Sequence, residues 1–160
     1  MKNRTIGMML NAGQRIGIVL AEAFAQGKYK LDNLFISSKM YSQSLKTTLS
    51  DLQLKYLDLY LFHDPMCFVN NGEIFTKNED GTFKLDPYQI HAIETWREIE
   101  KIKETGPAKR IGLSNFKVSL LNDLCSAAKY QPEVLMESND LGFNSRKFDK
   151  NRKLEIAIKV

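Results

Sequence analysis

The chain has 160 residues, 43% of them hydrophobic, with 23 basic and 19 acidic side chains and a formal net charge of +4. That is enough apolar material for one packed domain and excludes a disordered chain, while no apolar run approaches the roughly 20 residues that a membrane-crossing helix needs. The charges interleave, and the late basic cluster of Arg146, Lys147, Lys150, Arg152, Lys153 and Lys159 sits in no recognisable nucleic-acid motif, so neither nucleic acid nor a membrane is expected as a partner.

Ile16, Leu20, Ala23 and Phe24 fall on one face at helical spacing and Gly27 supplies a stop, which predicts a helix over about residues 12–26. The strand Leu34-Phe35-Ile36-Ser37-Ser38-Lys39 follows and ends in a lysine. Leu45, Leu49 and Leu52 mark a second helix, which leads into Leu57-Asp58-Leu59-Tyr60-Leu61-Phe62-His63-Asp64-Pro65, an apolar run that ends in a histidine, an acid and a proline. Residues 66–90 form a long loop excursion: Asn70-Asn71-Gly72 and Asn78-Glu79-Asp80-Gly81 give turn chemistry with room for a short hairpin, on the strand-tip side. Ile93, Trp96, Ile99 and Ile102 line a third helix that stops at Gly106-Pro107. Arg110-Ile111-Gly112-Leu113-Ser114-Asn115 is the next strand, Val118, Leu121, Cys125 and Ala128 mark the next helix, and Glu133-Val134-Leu135-Met136 is a fourth strand. A basic amphipathic tail, truncated relative to a whole barrel, occupies residues 145–160.

Strict alternation of short buried strands with helices predicts parallel βαβ units and an α/β fold. No glycine-rich phosphate loop is present, which disfavours a dinucleotide-binding or P-loop sheet. A barrel fits better: residues 1–160 read as a single partial domain, a partial (β/α)8 TIM barrel of about four central parallel β/α units, since a whole barrel takes about 250 residues. Cys67 and Cys125 have no partners at metal-ligand spacing, so no metal site is expected and reduced thiols in a cytoplasmic protein fit best. A lysine or histidine at a strand end is ordinarily only solvated or hydrogen-bonded. Lys39 and His63 become candidates because barrel enzymes keep their chemistry at the C-terminal tips of successive strands.

Phe35-Ile36-Ser37-Ser38-Lys39, the stretch from Leu52 to Pro65, Trp96-Arg97-Glu98-Ile99-Glu100 and Ile111-Gly112-Leu113-Ser114-Asn115-Phe116 together closely resemble the aldo-keto reductases, in order as well as in content. The loop with Asn78-Glu79-Asp80-Gly81-Thr82 is most similar to the aldehyde reductase branch. The resemblance implies a barrel oxidoreductase that reduces a small-molecule aldehyde or ketone with NADPH. It also implies a tetrad of tyrosine, lysine, aspartate and histidine, in which the lysine cation eases the proton off the tyrosine. Lys39 and His63 match the lysine and histidine, Ser114 and Asn115 match the pair that binds the nicotinamide carboxamide, and Tyr41 matches an aromatic substrate-pocket position.

Other positions depart from the pattern. Counting back from Gly17 places Leu10 at the tyrosine and Thr5 at the aspartate; Met136 stands where a glutamine is expected, and Asp64 where a tryptophan is usual. The first two and last two barrel strands are expected to be missing, which makes NADPH binding doubtful and leaves sheet edges open to self-association. The implied function is thus an NADPH-dependent carbonyl reductase of lost or strongly impaired activity, with Tyr41 as a substitute acid in a working alternative. The other alternative is a non-catalytic binding or regulatory pseudoenzyme that associates with a full-length relative.

Overall fold

Five short parallel strands lie side by side in chain order, each separated from the next by a crossover connection. The computed structural model describes residues 4–7, 13–40, 44–66, 76–82, 84–85, 91–139, 142–147 and 155–156. The parallel strands are β1 (Arg4–Gly7), β2 (Leu34–Met40), β3 (Leu59–Phe62), β4 (Ile111–Ser114) and β5 (Val134–Asn139). Between them run the helices α1 (Gly13–Ala25), α2 (Leu45–Leu52), α3 (Ala92–Thr105) and α4 (Val118–Ala127). Two further strands extend the sheet, β6 (Gly142–Lys147) antiparallel to β5 and β7 (Glu155–Ile156) antiparallel to β6.

The central strands β2 to β5 are the four read from the sequence, and their βαβ order is that of a partial barrel. Their apolar runs are continuous because a parallel strand is covered on both faces; all four residues of β3 and of β4 are buried. Two elements differ from expectation. The side of β2 expected to be empty carries β1, registered from Arg4 against Leu34 to Gly7 against Ser37. The segment at the start of the expected tail is strand β6, paired from Gly142 with Asn139 to Lys147 with Val134. Neither short segment has a decisive hydrophobic period; each gains its backbone partners from the edge of a strand that is legible, which is a tertiary effect.

Helix ends follow the local chemistry. Ser44 caps α2 by accepting the Thr47 amide at 3.3 Å, and Gln53 closes it in the left-handed region at φ 56°. Gly106 closes α3 at φ 96°, where a Cβ would be strained. The excursion after β3 folds, in its described part, as a hairpin, with the Asn78 amide on the Thr82 carbonyl and the Lys84 amide on the Thr76 carbonyl. Its remaining residues, with Cys67, lie outside the described ones.

The core sits between sheet and helices, around Ile36, Leu52, Leu57, Trp96, Ile99, Ile111 and Leu113, all at most 1% exposed. Polar groups buried there are paired. Trp96 Nε1 donates to the Tyr130 carbonyl at 3.0 Å, and the Glu100 carboxylate accepts the Tyr130 amide at 2.7 Å, so α3 fixes the connection from α4 into β5. At the N-terminal end of β3, Asp58 is 4% exposed, donates its amide to the Ile36 carbonyl and accepts the Ile36 amide on Oδ2, each at 2.9 Å. That reciprocal pair locks β2 against β3 and thereby sets the level of the opposite, C-terminal tips.

Candidate active site

The parallel register brings Lys39, His63, Ser114, Asn115 and Met136 to one end of the sheet. Lys39 pairs in register with Leu61, and Leu61 with Gly112, so the lysine begins two residues below both His63 and Ser114. Its long stem covers that difference: Lys39 Nζ donates to Ser114 Oγ at 3.1 Å. β2 and β4 are alternate strands, the arrangement in which barrel side chains share an interior layer, and His63 enters from the strand between them. Ser114 is fully buried, while Lys39, His63 and Asn115 are half-buried at the tip.

Asn115 turns the chain at the end of β4 in the left-handed region, at φ 61°, a conformation asparagine tolerates better than most residues. In that pose its amide nitrogen donates to the His63 carbonyl at 3.0 Å and its backbone amide to the Met136 carbonyl at 2.9 Å. Asn115 therefore ties the tips of β3, β4 and β5 together. This bracing role was not legible in the sequence, where the residue stood out as a polar group after a short strand and as half of the pair matched to the nicotinamide carboxamide. Phe62 and Phe116, at the ends of β3 and β4, meet edge to face in the core, 5.2 Å between centroids.

Burial lowers the Lys39 pKa from its ordinary value. Burial, and then the Lys39 charge, bring His63 down to about 4. At neutral pH His63 is thus an uncharged imidazole with one N–H to give and one nitrogen to accept, beside an amine whose pKa burial lowers. Burial raises the Asp64 carboxyl, partly offset by the Met66 amide that it accepts at 3.0 Å. A cation and a neutral donor at neighbouring strand tips suit a polarised carbonyl oxygen.

As a seat for a nicotinamide carboxamide the same residues fall short. Ser114 is sealed from the surface with its oxygen engaged by Lys39, the Asn115 amide nitrogen is committed to the His63 carbonyl, and Met136 offers only a thioether. Tyr41 and Leu10 lie outside the described residues, and Thr5 lies in β1, paired with Phe35. Among the described residues no helix is long and apolar enough to cross a membrane.

A profile of the "Aldo/keto reductase family" matches residues 16–154, most of the chain. The chain belongs to the aldo/keto reductase family. Among the family's curated members, Aldo-keto reductase family 1 member A1-A of Danio rerio is 37% identical over 131 residues, which are 76% of this chain and 40% of that protein. Aldo-keto reductase family 1 member A1 of Cricetulus griseus is 39% identical over 130 residues, 75% of this chain and 40% of that one. Among solved structures, the aldose reductase of Giardia lamblia superposes with a TM-score of 0.76 at 33% identity, covering 85% of this chain and 48% of its own. The aldose reductase of Schistosoma japonicum gives 0.75 at 28%, covering 85% and 47%. This aldo/keto reductase chain spans about 40% of the length of those curated relatives.

Proposed function

We propose that this chain carries an aldo/keto reductase carbonyl site for a small aldehyde or ketone, in which reduction is strongly impaired. The observation that supports this most is the convergence of Lys39 on Ser114 at 3.1 Å, with His63 on the strand between them. The neutral His63 donates a hydrogen bond to the carbonyl oxygen and orients it, while the Lys39 charge stabilises negative charge that develops there. NADPH, the cofactor expected from the family, would supply the hydride; the described residues do not reproduce its carboxamide seat. The alkoxide left by reduction needs a proton, and the position of the family's tyrosine, counted from Gly17, holds Leu10, which has none to give. Loss of a general acid costs about 10²- to 10⁴-fold in rate.

The test is to mix purified protein with NADPH and an aromatic aldehyde and to follow cofactor absorbance, with fluorescence titration of NADPH alongside. Turnover far below that of a complete aldehyde reductase, with weak cofactor binding, is expected. Robust turnover that disappears in Lys39→Met would overturn the impaired reading, and dependence on Tyr41, tested by Tyr41→Phe, would identify the replacement acid. A non-catalytic binding role is the second reading. It is favoured by β1 and β7, which stand at the two ends of the described sheet with one hydrogen-bonded neighbour each, and a stable complex with a full-length relative on size-exclusion chromatography would support it. The sparse cysteines fit a cytoplasmic setting for either role.

A further inference from the structure

We propose that Lys39 is a nucleophile that forms an imine with aldehydes at the strand tips, a reaction that needs no nicotinamide cofactor. The proposal rests on the carbonyl-site reading above and goes beyond it, because it gives the amine a covalent role rather than an electrostatic one. Geometry carries it. Lys39 is half-buried in β2, and Ser114 Oγ accepts from its Nζ at 3.1 Å, so the amine is held in position rather than sweeping through solvent. Ser114 is fully buried and belongs to the rigid centre of the sheet, which makes this anchor a fixed one. His63, on the intervening strand tip, places a neutral N–H donor near a carbonyl oxygen presented to that amine. Burial also lowers the Lys39 pKa, which raises the share of unprotonated amine at neutral pH, the condition under which lysines form Schiff bases.

The chemistry balances without an oxidant or a reductant. After Nζ gives a proton to water, its lone pair attacks the aldehyde carbon, a C–N bond forms, and the C=O π pair moves to oxygen, which takes up one of the two Nζ protons to give a neutral carbinolamine. Nζ then loses its remaining transferable proton and the hydroxyl leaves as water, so that amine plus aldehyde become imine plus one water. The step is reversible until an added hydride donor reduces the imine to a stable secondary amine.

The experiment incubates the whole chain with benzaldehyde and sodium cyanoborohydride at neutral pH, without NADPH, and maps benzylated lysines over time by peptide mass spectrometry. Lys39 should be labelled at least about tenfold faster than the exposed Lys46 and Lys55, since of these three Lys39 alone is half-buried with its amine held in place. In Lys39→Arg the fast product should vanish while the slow background at Lys46 and Lys55 stays. Labelling of Lys39 at or below the rate of those exposed lysines overturns the proposal, and so does a fast product that persists in Lys39→Arg. The readout contains no cofactor, so a silent Lys39 removes the imine chemistry and leaves the reductase reading to its own assay.

Discussion

At neutral pH His63 is uncharged, because burial and the neighbouring Lys39 bring its pKa from 6.5 to about 4. Between those values the unfolded chain binds a proton that the folded chain refuses, so folding stability falls as pH drops from about 6.5 to about 4 and levels off below. Asp64 next to it works in the opposite direction, since a carboxyl whose pKa is raised gains a proton early in the folded state. Urea midpoints of wild type and His63→Gln at pH 7 and pH 5 should separate the two: Asp64 is common to both proteins, and the variant should lose less stability on acidification. An equal loss in both would mean that His63 titrates normally. Asp58 offers a second residue-scale test at the other end of β3. Asp58→Ala strands the buried Ile36 amide and should cost about 1–3 kcal/mol, whereas Asp58→Asn keeps an acceptor and should cost well under that. The Lys109 ammonium, 3.9 Å away and half-exposed, contributes little to the difference.

Helix α1 lies so close to α2 that Gly17 has no room for a side chain: a Cβ there would stand 2.0 Å from the Asp51 carbonyl oxygen and 3.0 Å from Leu52 Cα. In an isolated helix, glycine to alanine gains about 1 kcal/mol. Here the obstacle is backbone, which cannot rotate aside, and overpacking of about 1–3 kcal/mol or more reverses the sign. Gly17→Ala should therefore lower the denaturation midpoint, and a rise would show that α1 can move off α2. The sequence marked Gly17 through its family context, and the tertiary contact supplies the physical reason. The same holds for Trp96, whose helical spacing announced an inward face, and for Glu100, which only the family-like stretch marked: packing shows that both reach Tyr130 and so position the entry to β5.

Across the whole molecule, the described sheet runs in linear order from β1 to β7, with an edge strand at each end. Ile18 and Val19 on α1 and Val118 and Leu120 on α4 are 53%, 62%, 70% and 40% exposed, apolar surface in addition to those edges. We expect this chain to self-associate in a concentration-dependent way, seen as a rising mass by light scattering coupled to size-exclusion chromatography. A constant monomer mass over a wide concentration range would show that these edges are protected.

By itself the sequence determined the class, the order of the four central β/α units and the strand tips that carry Lys39, His63, Ser114 and Asn115. Long apolar runs and helical periods are local signals, and polar residues that end them are visible without coordinates. Tertiary structure decided the rest. Strands β1 and β6 exist because a neighbouring edge offers hydrogen bonds, and Asn115 braces three strands because a left-handed turn aims its amide at His63. The contact between Lys39 and Ser114 joins residues 75 positions apart through parallel register, and no spacing rule along the chain encodes that distance.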